Sequence, residues 1–457
     1  KILGWVTSNM GHCCNNRVFI LLGIVIWFGE EITCFENGMS RSDFEHGNKS
    51  VSRIAFGSCM NGMFSELKWH QRPQPVWKHI IQQQPDLWIW LGDAAYGDTR
   101  LLPFVWTPSP LPLMAKYFRR QKNHPDYQEF LKSNITVMGI WDDHDYGMND
   151  GGKNFGNRLQ TQNMFLDFLD EPLDSLRRRR EGMYASYTFG QGDKAVKLIM
   201  LDVRSFAVFD TSCDRLGEKQ WKWLEGQLND PTPVALTIVT SGIQVLSNAM
   251  RGLQNWEDCP DSYDRLIWLT QNHDKVIFLS GDVHFGEVSC LNSSSSGYPL
   301  YDLTSSGLYM ACTIPLLNHE QCVWSIRNAI GNDFRITEPV VERNFGLVEI
   351  DWNSNPVKIK LQIFGAKGQV VSEVVIDFDH ITKRLKPERC PDVKRPEASL
   401  TKIYLFWATI GLFIIGVFLV LVGSIYFIFK LFISLLRSLL GYIWKPNQER
   451  KIKQKRS

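Results

Sequence analysis

The chain has 457 residues, of which 44% are apolar and 21% are charged, and its formal net charge is +2. This composition excludes a disordered chain and is sufficient for one large domain or two. The nearly balanced charge gives no reason to expect a nucleic-acid partner.

An apolar run near the start predicts delivery to the secretory pathway. Val18–Phe28 is apolar, Arg17 precedes it, and Glu30 and Glu31 follow it. Its length suits the hydrophobic part of a signal peptide better than a full membrane span. No clear small-x-small cleavage site follows, so residues 1–35 are predicted to be either a signal peptide or an uncleaved signal anchor.

Six short apolar runs in the body of the chain end abruptly in small or polar residues. They are RIAF before Gly57, DLWIWL before Gly92, ITVMGI before Trp141, VKLIML before Asp202, VALTIVT before Ser241 and KVIFL before Ser280. Runs of this kind are typical of strands that are buried on both faces. In such folds ligands collect beyond the carboxyl ends of the strands.

Other segments complete the predicted fold class. In GEKQWKWLEGQL, residues Trp221, Leu224 and Leu228 share one face of a helix. Further on, LVEIDW, VKIKLQIFG and VVSEVVIDF predict antiparallel strands that complete a second sheet. The prediction over residues 47–380 is an α/β domain of layered sheets flanked by helices.

The C-terminal part predicts a membrane anchor. Ile403–Phe429 contains no charged residue and exceeds the roughly 20 residues that a transmembrane helix needs. Residues 381–402 would be the linker, and residues 430–457 an amphipathic segment with a basic tail. The positive-inside rule places that tail in the cytosol and the domain in the lumen or outside the cell. Lys453 and Lys455 resemble a dibasic retrieval signal of the endoplasmic reticulum, although a generic basic tail explains them equally well.

The cysteines and sequons fit a luminal domain. No C-x-x-C pair with a matching second pair occurs among the ten cysteines, which argues against a structural zinc site. In a luminal domain six cysteines are candidates for disulfides, with connectivity left open: Cys213, Cys259, Cys290, Cys312, Cys322 and Cys390. The acceptor sequons begin at Asn48, Asn134 and Asn292.

Four loops that follow strands carry side chains suited to metal ions. They supply Cys59; Asp93 with Tyr96; Asp142, Asp143, His144 and Asp145; and Asp282 with His284. Carboxylates suit hard cations, whereas thiolate, phenolate and imidazole suit a transition metal such as iron. The mixed set predicts two unlike ions about 3.5–4 Å apart. Asp93 would bridge the two ions, and a nearby imidazole would protonate the leaving group.

Each loop also has a structural explanation when it is taken alone. A lone cysteine such as Cys59 is usually a small buried side chain, and Gly-Asp after a strand is often a turn or a cap. The crowded carboxylates of WDDHD are harder to explain, because they repel one another unless a cation or basic partner lies among them. The order and the strand context together favour a metal site.

The motifs also carry a family resemblance. GSC, PDLWIWLGDAAYGD, GIWDDHDYGMNDGG, LDVR, LGEKQWKWL, SGIQV and LSGDVHFGE resemble those of the PhoD-like (alkaline phosphatase D type) metallophosphatases, from about Ser52 to Phe378. The resemblance implies that the α/β domain is a layered metallophosphoesterase-type β-sandwich flanked by helices. It also implies one ferric site and one site for a harder ion, calcium first, with another divalent pair as the alternative. The implied iron ligands are Cys59, Asp93, Tyr96 and His284, and the implied calcium ligands are Asp93, Asp143 and Asp282. His144 is implied as the acid that orients phosphate and leaving group.

Three further features have weaker signals. Gln244, in SGIQV, stands where relatives often carry a metal-binding histidine, so its amide oxygen is a candidate ligand of the hard ion. Arg204, in LDVR, is a candidate phosphate clamp, with a structural salt bridge as the equal alternative. The basic run Arg177–Arg180 is interpreted as a solvated loop outside the active site.

The sequence therefore predicts a membrane-anchored, two-metal hydrolase of phosphate mono- or diesters in the endoplasmic reticulum or plasma membrane. The tether favours a lipid-linked substrate, because it raises the local concentration of such molecules. Two alternatives stay open. One is a cysteine hydrolase with Cys59 as nucleophile and His144 as base. The other is an inactive membrane scaffold that has kept the phosphatase fold.

Overall fold

A computed structural model describes residues 49–60, 73–102, 105–210, 213–249, 254–292, 298–309, 311–312, 318–382, 389–392 and 400–454. The predicted signal segment 1–35, the sequon at Asn48 and Lys455 lie outside these residues. Within them the strands form two six-stranded sheets and one hairpin.

The first sheet joins the N-terminal and C-terminal strands of the domain. Its strands are β1 (Arg53–Gly57), β2 (Leu87–Leu91), β5 (Thr136–Ile140), β12 (Phe345–Asp351), β13 (Lys358–Phe364) and β14 (Val370–Asp377). They are ordered β14-β13-β12-β1-β2-β5, with β1, β2 and β5 parallel and the others antiparallel. The last three strands therefore extend the sheet of β1, and the prediction that they complete a second sheet was wrong. The physical reason is the pairing of β12 with β1, which sets Val348 beside Ile54 in the core.

The second sheet is built from the middle of the chain. Its strands are β6 (Ala185–Phe189), β7 (Val196–Met200), β8 (Leu236–Ser241), β9 (Val276–Ser280), β10 (Gly286–Leu291) and β11 (Leu300–Ser305). Their order is β10-β11-β9-β8-β7-β6. The four central strands are parallel, and the two edge strands are antiparallel to their neighbours. All six apolar runs singled out in the sequence are strands.

A separate hairpin consists of β3 (Asp98–Leu102) and β4 (Val105–Pro108). The helices are Val76–Gln82, Leu111–Lys122, Pro125–Leu131, Asp143–Tyr146, Arg158–Phe168, Leu176–Arg179, Gly217–Leu228, Pro260–Gln271, His319–Trp324 and Leu400–Gln454. Short 3-10 helices occupy Gly192–Lys194, Trp256–Asp258 and Phe378–Ile381, and a π-helix occupies Ser325–Ile330. The predicted helix around Trp221 is confirmed, with Trp221, Leu224 and Leu228 buried.

Strand β2 is apolar at every position because both of its faces are buried. Leu87, Ile89 and Leu91 join the large core that both sheets share, whereas Trp88 and Trp90 point to the opposite face. There they pack among aromatic side chains of the covering helices, such as Trp77 at centroid distances of 5.3 Å from each. Alternate residues of a strand face opposite sides, so a sandwich with a helical outer layer needs apolar residues at every position. The predicted layered α/β fold is confirmed.

The basic run Arg177–Arg180 is not the solvated loop that the sequence suggested. Its first three residues belong to the short helix Leu176–Arg179, and Arg177 is buried. The Arg177 guanidinium pairs with Glu171 and donates to the carbonyl oxygens of Gly139 and Met183. The Arg177 side chain therefore joins strand β5 to the loops that contain Glu171 and Met183.

The C-terminal helix is continuous from Leu400 to Gln454. Among the described helices, one is long and apolar enough to cross a membrane, with the candidate span Tyr404–Ser438. That span is not buried against the rest of the described chain. At 1.5 Å per residue the whole helix is roughly 80 Å long, well beyond the ~30 Å thickness of a hydrocarbon core.

Three disulfides join the six cysteines whose connectivity the sequence left open. They are Cys213–Cys259, Cys290–Cys390 and Cys312–Cys322. The bond to Cys390 ties strand β10 to the segment that leads to the C-terminal helix, across 100 residues of sequence. Cys59 is a buried free thiol.

Removing the long-range disulfide should destabilise the domain. A Cys290→Ser/Cys390→Ser double variant should lose about 4–5 kcal/mol of unfolding free energy, since the bond closes a loop of 100 residues. Denaturant unfolding of the two proteins measures the difference. Peptide mapping without reductant should recover the three pairs, and free thiols at Cys290 and Cys390 would contradict the assignment.

Candidate metal centre

Two glycines let the loops at the strand ends approach one another. A side chain at Gly92, which has φ +90°, would lie 2.3 Å from Cβ of Asp142. A side chain at Gly281 would lie 2.7 Å from the carbonyl oxygen of Leu91 and 2.7 Å from Oγ of Ser58. Gly92 is therefore needed for the close approach of two neighbouring loops of the first sheet, and Gly281 for the contact between loops of the two sheets.

Four candidate ligands have left-handed backbone conformations. The φ values are +61° for Cys59, +53° for Asp93, +76° for Asp282 and +60° for His284. Such conformations are uncommon for residues other than glycine and cost of order 1–3 kcal/mol each, and they cluster at functional sites. Each turns the chain sharply after a buried strand, so that the side chain faces the crevice between the sheets.

One cluster combines sulfur, phenol, carboxylate and imidazole. Sγ of Cys59 lies 3.4 Å from Oδ2 of Asp93, and the hydroxyl of Tyr96 lies 3.3 Å from the same oxygen. The Tyr96 hydroxyl is also 3.4 Å from Nε2 of His284. Ligand atoms of Cys59, Asp93 and His284 all lie within 4.8 Å of one another. These are separations that a single ion in their midst can span.

A second cluster consists of carboxylates. Oxygens of Asp93, Asp142, Asp143 and Asp282 also lie within 4.8 Å of one another. Asp93 belongs to both clusters, which is the position expected of a bridging carboxylate. The structure thus brings together six of the seven residues that the sequence proposed for the two ions, and the seventh is Gln244.

The unpaired atoms of the site fit cations. Oδ1 of Asp93 and Oδ2 of Asp142 are buried without a hydrogen-bond partner among the described residues. A buried carboxylate oxygen that has no donor and faces other carboxylates is strongly disfavoured unless positive charge compensates it. The donor set, with carboxylates on one side and sulfur, phenol and imidazole on the other, suits a hard ion beside a transition metal.

Protonation equilibria point the same way. Burial, reinforced by neighbouring carboxylates, raises the pKa of Cys59 and of Asp282 well above their usual values. Burial likewise raises the pKa of Tyr96. Burial, and then the nearby His144, lowers the pKa of His284 to about 4, so its imidazole is neutral and able to bind a metal. Bound cations would compensate the anionic forms of the other three.

His144 has a partner that the sequence analysis did not assign. Its Nδ1 lies 2.9 Å from Oδ1 of Asp98, and both side chains are buried. Burial alone would lower the pKa of His144, but the carboxylates of Asp143, Asp98 and Asp93 raise it well above its usual value. Because Asp98 lies outside both ligand clusters, it can stabilise the imidazolium whether or not ions are bound. Its signal in the sequence was the second Gly-Asp of GDAAYGD.

The comparisons with known proteins agree with this site. The family model described as PhoD-like phosphatase matches residues 58–313, which is more than half of the chain. The chain belongs to the PhoD-like phosphatase family. Its members are metal-dependent phosphoesterases, so the protein is a hydrolase of phosphate esters with a metal centre.

Solved structures resemble this PhoD-like chain at low sequence identity. PhoD is 15% identical with a TM-score of 0.52, and the match covers 78% of this chain and 76% of PhoD. GAP50, the anchor in the inner membrane complex of Plasmodium, is 13% identical with a TM-score of 0.42, covering 74% of this chain and 90% of GAP50. Comparison with curated protein sequences gave no match. The likeness to PhoD concerns the fold.

Arg204 is part of the wall of this PhoD-like site. Its Nε donates to Oδ1 of Asp142 at 2.5 Å, and a terminal nitrogen bonds Gln254. The other terminal nitrogen is buried without a hydrogen-bond partner among the described residues. The structural salt bridge is therefore present, and the role of Arg204 as a phosphate clamp remains a prediction that rests on one nitrogen.

The Gln244 side chain forms hydrogen bonds with residues outside the two ligand clusters. Its amide nitrogen donates to Glu287 at 3.0 Å and to Thr304 at 3.1 Å, inside a buried polar network of the second sheet. Glu287 in turn pairs with Arg335. These contacts give Gln244 a structural role, and its coordination of a metal stays a prediction.

Two other functional contacts were missed from the sequence. Ser306 lies 3.3 Å from Sγ of Cys59 and accepts a hydrogen bond from the backbone of His284. Asp145 accepts from the backbone amides of Ala94 and Ala95, which holds the loop that carries Asp93 and Tyr96. Ser306 follows β11, a strand that the sequence analysis did not single out, and WDDHD alone does not reveal which of its carboxylates is structural.

Replacing Asp98 should change the pH dependence of hydrolysis. Asp98→Asn removes a carboxylate that raises the pKa of His144, so the alkaline limb of kcat/KM should move to lower pH. We expect a loss of about 10-fold or more with esters of poor leaving groups, and a smaller loss with aryl esters that leave without a proton. Asp193→Asn, on an exposed turn, is the matched control. An unchanged alkaline limb would refute the pairing as functional.

Proposed function

We propose that this PhoD-like phosphatase is a two-metal hydrolase of phosphate mono- or diesters. The observation that carries the proposal is the membership of Asp93 in both ligand clusters. A carboxylate shared in this way can hold two ions at the short separation that phosphate hydrolysis requires. An inactive scaffold has no need to keep both sets of buried ligands.

We assign the two ions by the chemistry of their ligands. Cys59, Tyr96 and His284, with Asp93, suit ferric iron, because thiolate, phenolate and imidazole stabilise a transition metal. Asp143 and Asp282, with Asp93, suit calcium, which prefers oxygen ligands. Asp142 lies in the same carboxylate cluster, but its Oδ1 is paired with Arg204. It serves as a link between the metal centre and that guanidinium.

The residues of the chain divide the remaining work. Bound ions would polarise the phosphate and lower the pKa of an attacking water. His144 uses Nδ1 to contact Asp98, which leaves Nε2 to donate a proton to the departing oxygen. Arg204 holds Asp142 and would offer its unpaired nitrogen to a phosphate oxygen.

The cysteine-hydrolase alternative has little support from the geometry. Burial, together with the charges of Asp93 and Asp282, raises the pKa of the Cys59 thiol, and a nucleophilic cysteine needs a lowered one. The hydrogen-bonding neighbours of Sγ are Ser58, Asp93, Ser306 and the backbone of Asp282, rather than His144.

Two substitutions should separate the ions. Asp93→Asn should lower the content of both metals, because it weakens the shared ligand. Tyr96→Phe should abolish the visible phenolate-to-iron absorption while the second ion is retained. Elemental analysis and a visible spectrum of the purified protein measure both outcomes.

The same measurements can reject the proposal. Asp193→Asn should keep both metals and the absorption band. Retention of both ions in Asp93→Asn would contradict the bridging role. Full biological activity of that variant despite lost hydrolysis would favour the scaffold alternative. A wild-type protein with oxygen-bound divalent ions but no absorption band would contradict the iron assignment alone.

We also propose that the domain faces a secretory-pathway lumen or the cell exterior and is anchored by the helix Leu400–Gln454. Three disulfides support an oxidising compartment, and the uncovered apolar span supports the anchor. The basic tail would then be cytosolic. The tether favours lipid-linked phosphate esters, which a comparison of a membrane-embedded phosphodiester with its soluble headgroup analogue tests.

Glycosylation reports this orientation. Asn134 is exposed after the helix Pro125–Leu131, so a luminal domain should carry a glycan there. Enzymatic deglycosylation of the protein made in eukaryotic cells should shift its electrophoretic mobility, and Asn134→Gln should reduce that shift. Asn123→Gln, outside any sequon, should leave it unchanged. A protein with no glycan at Asn134 or Asn292 would count against the luminal assignment.

A further inference from the structure

We propose that Trp106 is a specificity-determining residue that contacts the leaving group of the substrate. It would favour phosphate esters whose alcohol carries a planar or apolar group. This inference rests on the proposed function, because it assumes that His144 protonates the departing oxygen.

Trp106 lies directly beside the proton donor. Its ring centroid is 4.5 Å from that of His144 and 6.0 Å from that of Tyr96. The Tyr96 ring is 4.0 Å from His144 and is buried, whereas Trp106 is only partly buried. Trp106 therefore adds a partly exposed aromatic ring next to the imidazole.

The hairpin β3–β4 places Trp106 and Asp98 on the same face. Asp98 is paired with Pro108 across the hairpin, and Trp106 precedes Pro108 by two residues. Residues two apart on a strand, and residues directly opposite on paired strands, share a face. One face of the hairpin thus supplies the carboxylate that bonds Nδ1 of His144 and the indole that packs against its ring.

The base of the hairpin is joined to the histidine segment. The amide of Gly97 donates to the carbonyl oxygen of His144 at 2.9 Å, and Thr99 and Ser109 bond each other across the strands at 2.7 Å. Trp106 consequently has a defined position relative to the catalytic imidazole.

The path of the leaving group brings it to this surface. A proton donor must be within hydrogen-bond reach of the oxygen that it protonates. Nδ1 of His144 contacts Asp98, so the departing oxygen must approach Nε2, and its substituent lies next to the imidazole. An apolar or planar substituent would there cover indole surface, which small hydrated alcohols cannot do. Aromatic contacts of this kind contribute about 0.5–1.5 kcal/mol.

The test compares two leaving groups of similar acidity. Ethyl and 2-phenylethyl phosphates, each as monoester and as methyl diester, are assayed with the metal-loaded full-length protein in detergent. We expect the wild type to prefer the 2-phenylethyl ester in kcat/KM. Trp106→Ala should lower that preference by about 3- to 10-fold, mainly through the larger ester. Trp106→Phe should retain part of it.

Control measurements separate specificity from a general defect. Trp268→Ala removes a tryptophan that is 63% exposed on the helix Pro260–Gln271, and should leave the preference unchanged. An equal loss for both esters in Trp106→Ala, or an unchanged preference, would overturn the inference while leaving phosphate hydrolysis intact. Absence of hydrolysis of all four esters by the wild type would overturn the proposed function and this inference with it.

Discussion

Mutual repulsion among buried carboxylates is the constraint on which this structure depends. Oxygens of Asp93, Asp142, Asp143 and Asp282 come within 4.8 Å of one another, and only Asp282 among the four is partly exposed to solvent. Arg204 and His144 supply positive charge at the rim, yet oxygens of Asp93 and Asp142 still have no donor among the described residues. An arrangement of this kind is stable only when protons or cations compensate the negative charge, and in the proposed function bound cations do so and activate the phosphate ester.

The β-sandwich stabilises the unfavourable backbone conformations that the ligand residues adopt. Left-handed backbone at Cys59, Asp93, Asp282 and His284 is unfavourable in isolation. Each of these residues comes shortly after the end of a strand that is buried along almost its whole length. The packed core therefore holds the strained turns in place. Glycines at the crossing points allow loops from the two sheets to touch, and the two ligand sets meet at that contact.

The small hairpin gives the proton donor a separate environment. Asp98 stabilises charge on His144 without being a member of either ligand cluster, while the ring of Trp106 packs beside the imidazole. The described part of the hairpin supplies no member of the two ligand clusters, although His144 itself follows the cluster residue Asp143 in the chain. In the proposed mechanism, a change in the hairpin would therefore alter proton transfer or substrate preference without replacing a metal ligand.

The strands, the helix around Trp221 and the ligand-bearing loops were predictable from the sequence, because each depends on local periodicity or on the residues at a strand end. Other features depend on which distant segments meet. The pairing of β12 with β1, the three disulfides, the contact of Asp98 with His144 and the position of Trp106 join residues that no local pattern relates. The ligand types were therefore determined by the sequence itself, whereas their sharing of Asp93 and the surroundings of His144 were decided only by the tertiary structure, through register and loop contact.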